Sequence, residues 1–216
     1  MIEYSNITNI PLVKSYTKLG NAFYCRANVV KIAADLIGKV LITNFDGMFT
    51  SGRIVETEAY AGEQDMASHA RKGTRTARTE VMYASGGISY VYLCYGIHHM
   101  FNVITNTKNI PHAILIRALE PLEGIPAMLT RTGKVYLDNS LTRGPGNLAK
   151  AMGIYTRHTG MALASDELFI ANDKFPVRKK DIQATTRIGV DYAGKDARLP
   201  YRFFLKNNRY VSIPNK

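Results

Sequence analysis

The run Gly52-Arg53-Ile54-Val55-Glu56-Thr57-Glu58-Ala59-Tyr60 sets two carboxylates at alternate positions among apolar and β-branched residues, and no other stretch constrains the fold as tightly. Residues of that kind favour a pleated strand, whose successive side chains point to opposite faces. Ile54, Glu56, Glu58 and Tyr60 are therefore expected to share one side of it. Burying a carboxylate is costly unless it has a partner or a task, so the acids mark this strand as paired or functional. A second run, Tyr90-Val91-Tyr92-Leu93-Cys94-Tyr95-Gly96, puts Tyr90 and Tyr92 on one face and leaves Tyr95 beside a glycine where the chain can turn. Carboxylates, aromatic rings and a turn-tip tyrosine thus fall within one supersecondary unit between Gly52 and Asn102.

The rest of the chain reads as scaffold. Asn28 is placed to cap a helix with Val29, Ile32, Ala33, Leu36 and Ile37 on its apolar face, and Gly38 follows as its stop. Strands at 39–43 and 53–60 are joined through the hairpin signal Asp46-Gly47. Strands at 88–94 and 97–104 pair across Tyr95-Gly96, and 113–118 adds another, interrupted by Arg117. Between Ala61 and Gly87 lies a polar, basic segment with His69, Arg71, Lys72, Arg75 and Arg78. Long irregular segments in compact domains are usually functional or mobile. Helices are expected over 121–129, with Glu120 and Glu123 near the positive end, and from Gly144-Pro145-Gly146 to Gly153. Short strands are expected at 167–171, 187–190, 201–205 and 210–213. No strand-helix-strand series recurs, so the fold class is mixed α/β of the α+β kind, mostly antiparallel. With no linker in 216 residues, the chain reads as a single domain over 1–216, its first 22 residues a surface arm.

Charge points to a partner. The balance of 28 Lys+Arg against 17 Asp+Glu leaves a net charge of +11 at pH 7, the footprint of a polyanion binder. Cys25 and Cys94 are too few for a disulfide framework, which fits a reducing compartment. Neither a targeting segment nor an apolar run long enough for a membrane span is present, so a cytoplasmic or nucleoid location, or a nuclear one in a eukaryote, is expected.

Several chemistries drop out. His98 and His99 are adjacent on a strand and point apart, and no second Cys or His cluster completes a tetrahedral set with Cys94, so no metal is expected. Gly86-Gly87 precedes a strand rather than a helix, unlike a phosphate-cradling loop. What remains is a carboxylate flanked by aromatic residues on a basic protein. Glu58 could deprotonate a water, while Tyr60, His69 and Tyr92 could stack on a flat ligand. Chemistry on a base within a duplex requires extruding that base into such a pocket, and a turn-tip aromatic such as Tyr95 suits the vacated space. The alternative is a non-catalytic, basic nucleic-acid-binding module in which the tyrosines merely face the sheet.

These runs, together with Ser68-His69, Arg117-Ala118-Leu119-Glu120, Gly144-Pro145, Arg187-Ile188-Gly189-Val190 and Pro200-Tyr201-Arg202-Phe203, resemble the alkyladenine (3-methyladenine) DNA glycosylase family from about Phe23 through Val211. The resemblance implies one domain around a curved antiparallel sheet with flanking helices and a protruding hairpin, like the C-terminal domain of methionyl-tRNA formyltransferase. It implies excision of damaged purines from double-stranded DNA by hydrolysis, without strand cleavage or cofactor, by a monomer. Residue by residue, it implies Glu58 as the base that activates water and Arg117 as its helper. Tyr60, His69 and Tyr92 would grip the flipped base, Asn102 would reject guanine, and Tyr95 would enter the stack. A formyl-transfer reading would need a separate formyl-donor domain, for which the chain has no room. Where relatives carry prolines, this chain has Thr76-Ala77-Arg78-Thr79 and Met82-Tyr83-Ala84-Ser85-Gly86-Gly87, which implies a looser loop.

Overall fold

The computed structural model describes residues 16–212. Its spine is β3 (Met48–Tyr60), 13 residues long. β6 (His112–Glu123) runs antiparallel to it along nearly its whole length. On its other edge β3 pairs first with β2 (Val40–Phe45) and then, over Glu56–Glu58, with β9 (Arg202–Leu205). The sheet has nine strands. From one edge it runs β1 (Thr17–Lys18), β7 (Leu168–Asn172), β2, β3, β6, β5 (His98–Thr105) and β4 (Ser89–Cys94), and β9 carries β8 (Ile182–Thr185). Every strand pairing is antiparallel, and β4 and β5 form the expected hairpin. The architecture is thus the mixed α/β, antiparallel one that the sequence predicts.

The two faces of the sheet are covered differently. On one face, α2 (Val29–Leu36), α3 (Ile125–Thr132) and α4 (Pro145–Met152) pack Ile32, Leu36, Met128, Leu148 and Met152 against Ile54, Ala59, Phe101, Val103, Ile114 and Ile116. Asn28 caps α2 by accepting from Lys31 N at 2.9 Å. α4 starts on Pro145 and ends on Gly153 in the left-handed region, as its sequence signals require. The other face is covered by irregular chain. Smaller clusters there join Met82 and Tyr83 to Tyr90, Ile104 and Ala113, and Val190 and Ala193 to Ala67. No helix among the described residues is long and apolar enough to cross a membrane.

Several expectations are corrected. Residues 121–123 continue β6, because the register shifts opposite Ser51 and Gly52 and such an irregularity tolerates a proline without its N–H. The helix begins only after Gly124, which turns the chain at φ +73°. Glu120 and Glu123 therefore lie on a strand and not at a helix N-terminus. Residues 187–190 form a loop, since Gly189 adopts φ +73°, and 210–212 also lie outside any strand. β8 had no strong signal in the sequence. The expected arm over 1–22 lies outside the described residues up to 15, but Thr17 and Lys18 pair with β7 as a sheet edge, α1 (Asn21–Tyr24) follows, and Tyr24 is fully buried.

The most consequential correction concerns β3 itself. Its pairing with β6 runs Ile54↔Leu119, Glu56↔Ala118, Thr57↔Ile116, so each strand slips by one residue and the slips cancel. Ile54 consequently joins the helix-covered core with Ala59, while Val55 packs with Ala118 and Tyr210. Ile54 does not share the face of Glu56 and Glu58, because a bulge displaces one residue out of the strand's alternation. Arg117 lies at the corresponding slip on β6.

Candidate active site

On the loop-covered face opens a cavity of about 440 Å³. β3 supplies Tyr60 to its lining, β4 Tyr92, β5 Asn102 and β6 Arg117, each at a position the strand alternation aims away from the helices. Ser68 and His69 enter from the 61–88 segment, Ile188 and Tyr192 from the segment before β9, and Tyr95 from the hairpin tip. All seven residues singled out from the sequence gather here, Glu58 directly behind the lining. A second cavity, of about 450 Å³ and bounded by Glu63, Gln64, Asn109 and His112, has no lysine or arginine in its wall.

Glu58 is fully buried, and its carboxylate is held from three sides. Tyr60 Oη donates to Oε2 and the Ile188 amide to Oε1, both at 2.8 Å, while Arg117 Nη1 lies 3.4 Å from Oε1. A carboxylate has about four acceptor positions, so room remains for one more donor. Burial opposes the charge on Arg117, but Glu58 and Glu56 outweigh it and hold its pKa above the usual arginine value. Burial, then the charge of Glu58, pushes the Tyr60 hydroxyl well above the ordinary tyrosine range, so it stays a donor.

His69 and Tyr92 form one aromatic wall, their ring centroids 4.6 Å apart at 69°. His69 Nδ1 shares a hydrogen bond of 2.9 Å with Tyr90 Oη. Burial, helped by Arg78 and Arg71, lowers the His69 pKa to about 4, so the ring is neutral at pH 7. Tyr60, His69 and Tyr92 all line the cavity, and among the described residues no ring contact joins Tyr60 to the other two. Asn102 Nδ2 donates to Tyr90 O at 3.2 Å and Met100 O at 3.0 Å, which fixes the amide in the wall.

Sequence reasoning missed the brace behind this cavity. Arg187 makes a two-pronged ion pair with Asp65, at 2.5 and 2.8 Å, and donates to Ala59 O and Asp196 O. Its guanidinium carbon lies 4.8 Å from the Tyr60 ring centre. One buried side chain thus ties the end of β3, the turn leading to His69 and the segment carrying Ile188. The only signals were an acid in a polar loop and an arginine in a run that reads as a strand. The proline-poor loop has ties of its own: Thr79 Oγ1 accepts from Thr76 N at 2.8 Å, and Arg75 pairs with Glu80.

Comparison with known proteins identifies the family. The family model for methylpurine-DNA glycosylase (MPG) matches residues 22–209. A protein of Desulfitobacterium hafniense (strain Y51) named "Putative 3-methyladenine DNA glycosylase" is 42% identical over 203 residues, covering 91% of this chain and 98% of that protein. Proteins with the same name from Chlamydia felis (40% identity, 90% of this chain and all of that protein) and Myxococcus xanthus (42%, 90% and 93%) are similar as well.

Proposed function

The chain belongs to the methylpurine-DNA glycosylase family, and on that premise we propose that it removes damaged purines of the 3-methyladenine type from duplex DNA, as the first step of base excision repair. The base swings out of the helix into the slot between Tyr60 and the His69–Tyr92 wall, and Tyr95 fills the gap left in the stack. The observation that carries this reading is the setting of Glu58. All three of its partners, Tyr60, Ile188 and Arg117, line the cavity, whereas Glu56 spends its oxygens on Arg117, Arg202 and Ser212.

The chemistry follows from charge. An N-alkylated purine is often cationic, and electron-rich tyrosine faces favour it by ~1–2 kcal/mol when desolvated. A neutral His69 does not repel it. The same positive charge makes the base a good leaving group, and its departure leaves an oxocarbenium-like sugar. An ionised Glu58 stabilises that cation and accepts the proton of the water that attacks the anomeric carbon. Asn102, fixed by two carbonyls, stands where the exocyclic amino group of guanine would need space. No lysine is assigned as a covalent nucleophile, so the product is free base and an uncut abasic strand. No cofactor enters these steps. The protein acts as a monomer on the DNA of the cytoplasm or nucleoid.

The test is single-turnover base release from a duplex with one 3-methyladenine or hypoxanthine. The intact protein should release the base, and Glu58→Gln, which keeps the shape but cannot take a proton, should be slower by at least ~10² while still binding the duplex. A fully active Glu58→Gln protein removes the catalytic assignment. An intact protein that binds lesions but releases nothing establishes the non-catalytic module instead.

A further inference from the structure

Glu56 is fully buried one strand step from Glu58 and has no part in the reaction above. Four donors meet it: Arg117 Nε at 3.1 Å, Arg202 Nε at 2.7 Å, Ser212 N at 2.7 Å and Ser212 Oγ at 2.8 Å. Arg117 is divided among three partners, with Nε on Glu56, Nη2 on Ser212 Oγ at 3.3 Å and Nη1 toward Glu58 at 3.4 Å. That last separation is an ion pair and not a charge-assisted hydrogen bond, which would close to about 2.7–2.9 Å. Glu56 and Glu58 face Arg117 and Arg202 in one buried cluster.

We propose that Glu56, closed from behind by Ser212, is a positioning residue that holds Arg117 back from full hydrogen-bond contact with Glu58 and so keeps Glu58 a strong proton acceptor. The proposal rests on Glu58 being the base. Remove the charge of Glu56, and the Arg117 fork has one buried carboxylate left to bind. It then closes on Oε1 as a full hydrogen bond, in place of the 3.4 Å ion pair, and makes Glu58 a poorer proton acceptor. Arg117 therefore assists the site only while a second carboxylate restrains it.

Charge and shape make opposite demands here, which provides the test. Glu56→Gln keeps the shape and loses the charge, while Glu56→Asp keeps the charge and shortens the side chain. Single-turnover release from a hypoxanthine duplex, scaled to the fraction of protein that binds the duplex, should fall about tenfold in Glu56→Gln, part of the ~10²–10⁴ that a general base contributes. The duplex Kd should not change. Glu56→Asp should retain more of the rate than Glu56→Gln. Ser212→Ala, which removes the restraint on Nη2 without stranding a charge, should lose a few-fold and serves if the Glu56 variants fold poorly. A Glu56→Gln rate equal to or above that of Glu56→Asp, or an unchanged Ser212→Ala rate, overturns the proposal if Glu58→Gln is inactive. If Glu58→Gln is active, the underlying reading has failed instead.

Discussion

Tyr95 stands at the tip of the β4–β5 hairpin, 92% exposed, with φ +52°. Gly96 follows at φ +75°, and Ile97 N donates to Cys94 O at 3.2 Å, so Tyr95 and Gly96 are the central pair of a type I′ turn. A left-handed conformation costs a non-glycine residue ~1–2 kcal/mol, and a ring in solvent recovers none of it in the free protein. Glycine would relieve that strain, less its own backbone entropy of ~0.5–1 kcal/mol. Tyr95→Gly should therefore leave stability unchanged or raise it by up to ~1.5 kcal/mol. Tyr95→Ala keeps the strain, loses only the ring and should stay within ~0.5 kcal/mol of the parent. Lesion binding should move the other way. Unstacking costs a few kcal/mol, and losing even ~1.4–2.8 kcal/mol of compensation weakens the flipped complex by ~10–100-fold. Phosphate contacts to an intact duplex remain. The assay is duplex affinity with and without hypoxanthine, measured in the Glu58→Gln background to prevent turnover, beside urea unfolding. An unchanged preference for the lesion refutes the wedge, and a Tyr95→Gly protein destabilised by more than ~1 kcal/mol refutes the strain.

Other outcomes follow from the same site. Asn102→Ser should extend base release to guanine-type lesions, because a shorter side chain opens the space that the guanine amino group needs; no gain on any guanine derivative, with adenine-type activity intact, counts against this. His69 binds its proton only near pH 4 when folded, against an ordinary 6.5, so its contribution to stability is complete above pH 6.5 and is lost as pH falls toward 4, where the unfolded chain takes up the proton first. His69→Gln should flatten that decline, read as urea midpoints at pH 7 and pH 5, and an equally steep decline in the variant rules the explanation out.

The parts of the fold set by local chemistry were legible in the sequence. Asn28, the Asp46-Gly47 turn, Pro145 and Gly153 act through their own backbone geometry, and each ends or starts an element where expected. Legibility failed where partners distant in the chain decide. Pro121 reads as a helix start until Gly52 and Ser51 pair alongside it. Arg187 sits in an apolar run that suits a strand, yet its side chain turns inward because Asp65, 122 residues away, is there to meet it. The Ile188 amide that binds Glu58 leaves no mark on composition or periodicity.

The two glutamates show this limit most sharply. A strict period of two puts Ile54, Glu56 and Glu58 on one face, with their partners Leu119, Arg117 and Leu115 on that same face. A slip in β3 alone would turn every later side chain over relative to its partner. Here β6 slips with it, so Ile54↔Leu119 and Thr57↔Ile116 are both in register while the strands change face together. Ile54 and Leu119 go to the helix-covered core, and Glu56 and Arg117 are left on the side of the cavity, 3.1 Å apart. A regular ladder would have set Ile54 and Leu119 among the charged groups, where they could neither neutralise nor hydrogen-bond them. The paired slip therefore lets two apolar strands carry a buried cluster of opposite charges without breaking the core on the other face, and it brings Arg117 within reach of both carboxylates at once.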